Sequence, residues 1–181
     1  MTNLTKILAL DADITARLRI AEKPGPLRTL AAFLAHSGDS WFWILGLILL
    51  GWLGTPFWYR RAIAMGAGVL VTAVLVLIIK FSVRRRRPEG DWGDIYRATD
   101  PHSFPSGHAT RSFMLAFMAV GLGPIWFAVT LMVWAPLVGL ARVAMGVHYF
   151  SDVLVGAILG IFMGWVNYSL VVGLLIYYGM F

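Results

Sequence analysis

The chain has 181 residues, of which 59% are hydrophobic and only 13% are charged. A soluble domain carries about 25% charged residues, so this composition indicates a protein whose solvent is lipid, and a net charge of +6 suits anionic headgroups or a phosphate substrate better than nucleic acid. No cysteine is present, which excludes a disulfide, a thiolate metal site and a cysteine nucleophile.

The first 23 residues are predicted to lie on the membrane surface. Charged residues such as Lys6, Asp11 and Arg17 interrupt the apolar positions, so the segment lacks the continuous hydrophobic core of a signal peptide. Its apolar residues recur at helical spacing, and Pro24–Pro26 ends the pattern. We therefore predict an interfacial amphipathic helix in residues 1–23, followed by a short helix around Pro26–Ala35.

The remaining chain is predicted to cross the membrane five or six times as one all-α domain, residues 1–181. A spanning helix needs roughly 20 mostly apolar residues. Apolar segments of this kind cover residues 41–53, 61–80, 106–123, 125–145 and 148 onward. The last segment is too long for one vertical crossing, so it forms either one tilted helix or two spans with a break at Asn167–Ser169.

One long polar stretch, residues 84–105, is predicted to be the catalytic loop between the second and third spans. Alternation of the spans brings this loop, the N-terminus and the Arg142–His148 turn to one membrane face. Most Lys and Arg residues lie on that face, so the positive-inside rule favours the cytoplasm, although several of these cations belong to the site itself. We expect an integral protein of a bacterial or archaeal cell membrane, and the face and the oligomeric state stay open.

Three polar groups of residues stand at the ends of the apolar segments. Ionisable side chains at such positions are costly, so they are functional hypotheses by default. They read Lys80-x6-Arg87-Pro88, then Pro105-Ser106-Gly107-His108, then Arg142-x5-His148-x3-Asp152. Cations for an anion, two histidines and a carboxylate together favour phosphoryl transfer.

The third group offers a nucleophile. If His148 opens the last helix, Asp152 lies one turn later on the same face and accepts a bond from one ring nitrogen, which leaves the other nitrogen free to attack. Arg142, at the end of the preceding helix, is expected to donate to phosphate oxygens. The simpler alternative is a polar turn with a helix ion pair.

The second group offers an anion site and an acid. Ser106 suits an N-cap, Gly107 permits close approach of a ligand, and the first amides of the following helix favour phosphate. His108 on the first turn is expected to give a proton to a leaving oxygen. Plain N-capping by Ser106 is compatible with either interpretation.

The first group offers cations. Arg87, fixed by Pro88, is expected in the site, and Lys80 either joins it or extends to the membrane surface. Arg84–Arg86 are expected to contact anionic headgroups. Arg111 is a further candidate for the phosphate or for Asp100. Trp92, Tyr96 and His102 in the loop are further candidates for substrate contact, although an interfacial or packing role is favoured for each.

The three groups together resemble the signature of the type 2 phosphatidic acid phosphatase superfamily, and the resemblance covers Lys80 to Asp152. It departs at Ala141, where the family usually has Ser. The resemblance implies that His148 attacks phosphorus to form a phosphohistidine, that Asp152 orients it, and that His108 is the acid and then the base. It also implies a phosphate cradle, formed by Lys80, Arg87, Ser106, Gly107 and Arg142, with no metal and no cofactor.

The residues flanking the motifs look most like the polyisoprenoid diphosphate phosphatase branch. This likeness implies an isoprenyl diphosphate substrate in the membrane lipids, with phosphatidic acid or phosphatidylglycerol phosphate as the second choice. A phosphotransferase that uses the same intermediate stays open. A lipid-binding protein without activity is disfavoured, because binding an anion needs the cations but neither histidine.

Overall fold

Within residues 3–21, 23–90 and 100–177, which the computed structural model describes, the chain folds into α-helices joined by short turns. The helices are α1 Asn3–Leu18, α2 Pro26–His36, α3 Ser40–Leu53, α4 Pro56–Val83, α5 Gly107–Leu122, α6 Ile125–Ala144 and α7 Phe150–Tyr177. The described part contains no strand, and one isolated antiparallel bridge joins Arg86 to His102. The all-α prediction is therefore confirmed.

Three of these helices are long and apolar enough to cross a membrane: Pro56–Val83, Ile125–Ala144 and Phe150–Leu174. The pair α2 and α3, bent by 58° at the turn between them, makes a fourth if it is one broken span. Helix α5 has 16 residues, fewer than a crossing of about 20 requires. The number of five or six spans stays a prediction.

Helix α7 continues without interruption through Asn167 to Tyr177. The Asn167 side chain donates to the Met163 carbonyl oxygen at 2.8 Å, one turn back in the same helix, so its polar group is satisfied without a break. The long apolar segment is thus one helix, and the structure gives no second span after residue 167 within the described residues.

Helix α5 packs most extensively against α7, and glycines on α7 bring the two helices together. A Cβ at Gly156 would lie 2.8 Å from the Ser106 carbonyl oxygen, and one at Gly164 would lie 2.6 Å from Phe117 Cβ. Gly160, between them, faces the Thr110 carbonyl oxygen. Small residues at four-residue spacing allow such close helix crossings in membranes. This crossing holds the start of α5, which carries Ser106 to His108, beside the start of α7.

Helix α1 turns its polar side toward the protein. Asp11 and Thr15 are buried, whereas Ile7, Leu8 and Leu10 are exposed on the outside of the described structure. The exposed apolar side suits a membrane surface, but the interfacial position of α1 stays a prediction. The buried polar side contacts the candidate site, and its contacts are given below.

Candidate active site

The three polar groups of the sequence meet at one end of the bundle. The Nη1 atom of Arg87 lies 3.2 Å from Nε2 of His148, and the backbone amide of Ser106 donates to the Asp152 carbonyl oxygen at 3.0 Å. The end of α4, the start of α5 and the turn between α6 and α7 therefore form one site. Arg61, by contrast, donates to the Leu122 carbonyl oxygen at the opposite end.

His148 has the geometry of a nucleophile. Its side chain is 1% exposed. Because a guanidinium has only donors, the Arg87 N–H must donate to a lone pair on Nε2, which assigns the ring proton to Nδ1. The Nε2 lone pair of the imidazole therefore points toward the cations of the site, where a phosphate would be held.

The surroundings of His148 keep its imidazole neutral. Burial lowers the pKa of His148 well below its usual value, and the charges of Arg87, Arg142 and Lys80 lower it further. His148 stands in the turn between α6 and α7, two residues before α7 begins at Phe150. The expectation that His148 opens the helix was wrong, because the turn places it just outside the first helical residue.

Asp152 faces His148 but does not form the predicted hydrogen bond. Its Oδ2 lies 3.6 Å from Nδ1 of His148, beyond hydrogen-bond distance, and Nδ1 has no hydrogen-bond partner among the described residues. The carboxylate is already engaged, because Oδ2 accepts the Tyr149 amide at 2.9 Å and Oδ1 accepts Arg85 Nη1 at 2.7 Å. Asp152 thus faces Nδ1 of His148 without a hydrogen bond to it.

Arg85 was predicted to contact lipid headgroups, and the structure places it inside instead. Its guanidinium lies 4.0 Å from the centre of the Tyr149 ring, and its Nη2 donates to Asp11 Oδ2 at 2.6 Å. Buried carboxylates on α1 and α7 draw this one arginine inward, whereas Arg84 and Arg86 are exposed. Local sequence gave no signal for the contact, since Asp11 and Arg85 are 74 residues apart.

Lys80 and Arg87 form a cation pair around Asp100. Lys80 Nζ lies 2.5 Å and Arg87 Nη2 lies 2.8 Å from Asp100 Oδ2. Lys80 is 4% exposed, so it does not extend to the membrane surface, the alternative considered from sequence. A carboxylate oxygen thus occupies the position between two cations that a phosphate oxygen would take.

Of the other cradle residues, Arg142 and Ser106 are buried and Gly107 is partly buried. Arg142, in the last turn of α6, is fully buried. Ser106 accepts the Ala109 amide at 3.4 Å and serves as the N-cap of α5, as its sequence position predicted. Gly107 lines a cavity of about 220 Å³, together with Lys80 and His108. The structure therefore brings together all eight residues proposed for the site.

His108 contacts a carboxylate that the sequence analysis missed. Its Nε2 lies 2.6 Å from Oδ1 of Asp39, which stands in the turn between α2 and α3. Arg111 does not reach Asp100, because its Nε and Nη2 donate to the Gly38 carbonyl oxygen at 3.0 and 2.6 Å. An acidic residue directly before an apolar helix was the only sequence signal for Asp39.

The remaining candidates have minor or undescribed places. The His102 ring packs edge-on against Phe81, with 5.5 Å between ring centres, in agreement with a packing role. Trp92 and Tyr96 lie outside the described residues. In the part of the chain that the structure describes, no group of three or more His, Cys, Asp or Glu side chains is arranged to hold a metal ion.

An apolar groove lies further along α3 and α4, beyond the polar cavity. It has a volume of about 670 Å³ and is lined by side chains of α3 and α4, among them Ile44, Trp52, Ile63 and Leu70. Ser40, which lines the polar cavity, is one turn from Ile44 on α3. A phosphate in the cavity would therefore have an apolar path beside it, about 18 Å long from Ser40 to Trp52.

Comparison with known proteins agrees with this geometry. Residues 61–175 match the family model of the PAP2 superfamily. Decaprenylphosphoryl-5-phosphoribose phosphatase of Mycobacterium tuberculosis is 35% identical over 156 residues, which cover 83% of this chain and 84% of that protein.

Two crystal structures share the fold. The PAP2 type phosphatidylglycerolphosphate phosphatase of Bacillus subtilis has a TM-score of 0.72 at 23% identity, covering 96% of this chain and 87% of its own. LpxE of Aquifex aeolicus has a TM-score of 0.67 at 24% identity, covering 85% of this chain and 93% of its own. The chain thus belongs to the PAP2 superfamily and is a membrane lipid phosphatase.

Proposed function

We propose that the protein removes a phosphate from a polyprenyl-linked phosphate or diphosphate, with His148 as the nucleophile. The observation that carries this proposal is the lone pair of His148 Nε2, which points at Arg87, a member of the cation pair that holds Asp100. A buried neutral imidazole aimed at an anion site is the arrangement that nucleophilic attack on phosphorus requires. Anion binding alone would need the cations only.

In the first step, Nε2 of His148 attacks phosphorus and the bond from phosphorus to the leaving oxygen breaks. His108 gives its proton to that oxygen, so the product leaves as a neutral alcohol or a protonated phosphate. Lys80, Arg87, Arg142 and the first amides of α5 stabilise the charge on the phosphoryl oxygens. Asp152 stabilises the positive charge that develops on the His148 ring.

In the second step, neutral His108 takes a proton from water, the water oxygen bonds to phosphorus, and the bond from phosphorus to His148 breaks. Inorganic phosphate leaves, and both histidines return to their starting states. The phosphoryl oxygens are held by cationic side chains throughout, so we expect turnover in the presence of EDTA. Loss of activity on chelation would contradict this mechanism.

The lipid class is inferred from the groove and from the relative. The groove between α3 and α4 suits a long apolar chain, and the M. tuberculosis relative is named for a phosphatase acting on a decaprenylphosphoryl sugar phosphate. We therefore favour a polyprenyl carrier over a diacylglycerol lipid. A phosphatidic acid or phosphatidylglycerol phosphate substrate and a phosphotransferase reaction are the alternatives that the assay must separate.

The finer architecture belongs to the same proposal. One domain, residues 1–181, would cross the membrane five times, with α1 on the membrane surface. The pair α2 and α3 would enter as a bent element whose turn reaches His108. Helix α5 would cross within the bundle, shielded by α7 through their close glycine contact.

The test is phosphate release by the purified protein in detergent. Polyprenyl diphosphate, decaprenylphosphoryl-5-phosphoribose, phosphatidic acid and phosphatidylglycerol phosphate are supplied in parallel with EDTA. We expect release from the polyprenyl substrates, and its loss in His148→Ala. Asp13→Asn is the matched control, since Asp13 pairs only with Arg17 in the described structure and both are exposed.

Labelling of the enzyme by a radioactive aryl phosphate tests for the phosphohistidine intermediate. The leaving group of 4-nitrophenyl [32P]phosphate needs no proton, so His108→Ala should still complete the first step. Because the second step needs His108 to activate water, this variant should accumulate an acid-labile phosphoenzyme, which His148→Ala lacks. Label retained in His148→Ala would overturn the assignment of the nucleophile. Release that depends on an added alcohol acceptor would indicate a phosphotransferase.

Filling the groove tests the polyprenyl assignment. A Cβ at Gly66, which lines the groove, meets no atom within 4 Å, so Gly66→Phe should fold and block the chain path. Gly46 on α3 is equally open but does not line the groove, and Gly46→Phe is the control. We expect only Gly66→Phe to raise the KM for a polyprenyl substrate relative to 4-nitrophenyl phosphate. Equal effects of both variants would remove the groove from the proposal.

A further inference from the structure

The carboxylate of Asp39 is not used for the local purpose that its position suggests. Asp39 precedes the first residue of α3, where an acidic side chain normally accepts an amide of the first helical turn, and it makes no such bond. Its Oδ1 lies 2.6 Å from His108 Nε2 instead, and its Oδ2 lies 3.1 Å from His36 Nδ1. The carboxylate is thus directed at the ring of His108 from another helix pair.

The turn that carries Asp39 is fixed from several sides. Arg111, one turn after His108 on α5, donates twice to the Gly38 carbonyl oxygen. The indole of Trp43 donates to the Ser37 carbonyl oxygen at 3.0 Å, and that of Trp134 donates to Ser37 Oγ at 2.8 Å. The turn therefore has little freedom to move away from α5.

Gly38 also shows how closely the turn approaches His108. A Cβ at this position would lie 3.3 Å from His108 Cδ2 and 2.8 Å from Val138 Cγ1. Only glycine allows the backbone to pack against the imidazole and α6 at this distance. The contact of Asp39 with His108 is therefore built into the packing of α2, α3, α5 and α6.

We propose that Asp39 is the positioning residue of the acid and base His108, as Asp152 is for His148. This proposal rests on the proposed function. Because Nε2–H donates to Asp39, only Nδ1 of His108 is left to exchange a proton with the substrate. The ionised carboxylate also stabilises the imidazolium form, which is the form that gives the proton in the first step.

The mechanism then has two parallel histidine–aspartate pairs. In the first step, the proton moves from Nδ1 of His108 to the leaving oxygen, while the proton on Nε2 stays on the ring beside Asp39. In the second step, Nδ1 takes a proton from water, and Asp39 stabilises the positive ring that results. Asp39 keeps its negative charge in both steps and never contacts the substrate.

The leaving group separates this role from a structural one. An alkyl alcohol is a poor leaving group and needs the proton from His108, whereas 4-nitrophenolate does not. We therefore expect Asp39→Asn to slow the single-turnover release of an alkyl alcohol, with an alkyl phosphate as probe, by about tenfold or more. The pre-steady-state burst of 4-nitrophenolate from 4-nitrophenyl phosphate should change by less than about twofold.

Matched variants complete the test. Asp39→Ser keeps an N-cap residue before α3 but removes the charge, so it should fold and behave like Asp39→Asn. His36→Gln removes the other histidine partner of Asp39 without touching His108, and we expect it to behave like the wild type. Combined with His108→Ala, Asp39→Asn should cause no further loss, because both act in one step.

The outcomes are decisive for both proposals. If His148→Ala retains activity, the proposed function fails, whatever Asp39 does. If His148→Ala and His108→Ala behave as expected but Asp39→Asn slows alkyl and aryl substrates equally, Asp39 is only structural and this inference is overturned. A further loss on combining Asp39→Asn with His108→Ala would overturn it as well.

Discussion

At the scale of single residues, we expect Asp100 to compete with the substrate for the two cations that it contacts. Its carboxylate lies between Lys80 and Arg87, where a phosphoryl oxygen would lie, and its side chain is 41% exposed. A phosphate that enters must displace this carboxylate from both cations. Charge-assisted hydrogen bonds of this kind are about twice as strong as neutral ones, so the exchange costs binding affinity.

Replacement of Asp100 by Asn should therefore tighten substrate binding. The amide leaves the shape unchanged but weakens the competition for the cations, and the Asp100 carbonyl oxygen still accepts Arg87 Nε. We expect KM and the inhibition constant of inorganic phosphate to fall by about three- to tenfold. Steady-state kinetics with product inhibition measure both constants. Higher values for both would instead make Asp100 a residue that orients the cations for the substrate.

The pH profile reports on His148 directly. Its lowered pKa means that the imidazole loses its proton at a lower pH than an ordinary histidine, so the attacking form persists below pH 6.5. We expect the acidic limb of the burst rate to lie below that value. In Arg87→Gln, one positive charge near the ring is lost, and the limb should move upward.

The substrate phosphate itself ionises near pH 6 and adds its own limb to the profile. That ionisation belongs to the substrate and is the same for both enzymes, whereas the limb of His148 moves with the substitution. Coincident acidic limbs in the wild type and Arg87→Gln would contradict the assignment of that limb to His148.

At the scale of helices, α1 connects through Asp11 to the start of α7 and to the candidate site. Its Oδ1 accepts the Ser151 amide at 2.9 Å, and Thr15 Oγ1 accepts the Phe150 amide at 3.0 Å. The first amides of a helix have no acceptor within that helix, and side chains of α1 accept these two amides of α7. Helix α1 therefore caps the helix that carries Asp152. Arg85 bridges Asp11 and Asp152 with bonds of 2.6 and 2.7 Å.

Asp11→Asn should therefore affect both stability and catalysis. Loss of a cap and of a buried ion pair costs about 1–2 kcal/mol, and the freed Arg85 no longer fixes Asp152. We expect a lower thermal midpoint in detergent and a fall in kcat of about tenfold, with KM little changed. Asp13→Asn on the exposed side of the same helix is the control. A normal kcat in Asp11→Asn would limit α1 to a membrane-surface role.

The same contacts show what sequence can predict. Sequence predicts which residues of the candidate site lie together when they stand at the ends of apolar segments, where a charge is costly and alternation of spans decides the side. These residues are Lys80, Arg87, Ser106, His108, Arg142 and His148. Asp11 and Asp39 were not assigned to the site. Their partners Ser151 and His108 are 140 and 69 residues away, and neither periodicity nor spacing records a contact between distant helices.

At the helix ends too, features that depend on neighbouring residues were predicted, whereas contacts between distant helices were not. Ser106 as N-cap and Pro26 at the start of α2 were predicted correctly, because capping depends on neighbouring residues. The geometry at Asp152 was not. Whether its carboxylate reaches Nδ1 of His148 depends on competition from Arg85 and the Tyr149 amide, and that competition is decided by packing between helices.

At the scale of the whole molecule, the two ends of the bundle differ in charge. The site end carries most of the described Lys and Arg side chains, including exposed Lys23, Arg84 and Arg86, whereas Arg60 and Arg61 lie at the other end. Arg87 and Arg142 belong to the proposed phosphate cradle, but Lys23 and Arg84 do not contact it. Even with the cradle set aside, the positive-inside rule favours the cytoplasmic face, and we expect the site there.

The absence of cysteine makes this orientation directly measurable, because a single introduced thiol is the only one in the chain. Lys23→Cys marks the site end and Arg60→Cys marks the other, and both positions are exposed. In intact cells, a membrane-impermeant maleimide should label Arg60→Cys, whereas Lys23→Cys should require permeabilisation. The reverse pattern would place catalysis on the outer face and require the polyprenyl substrate to present its phosphate there. Retained phosphatase activity in both variants confirms that each labelled protein is folded, so either pattern assigns the side from which the substrate must be supplied.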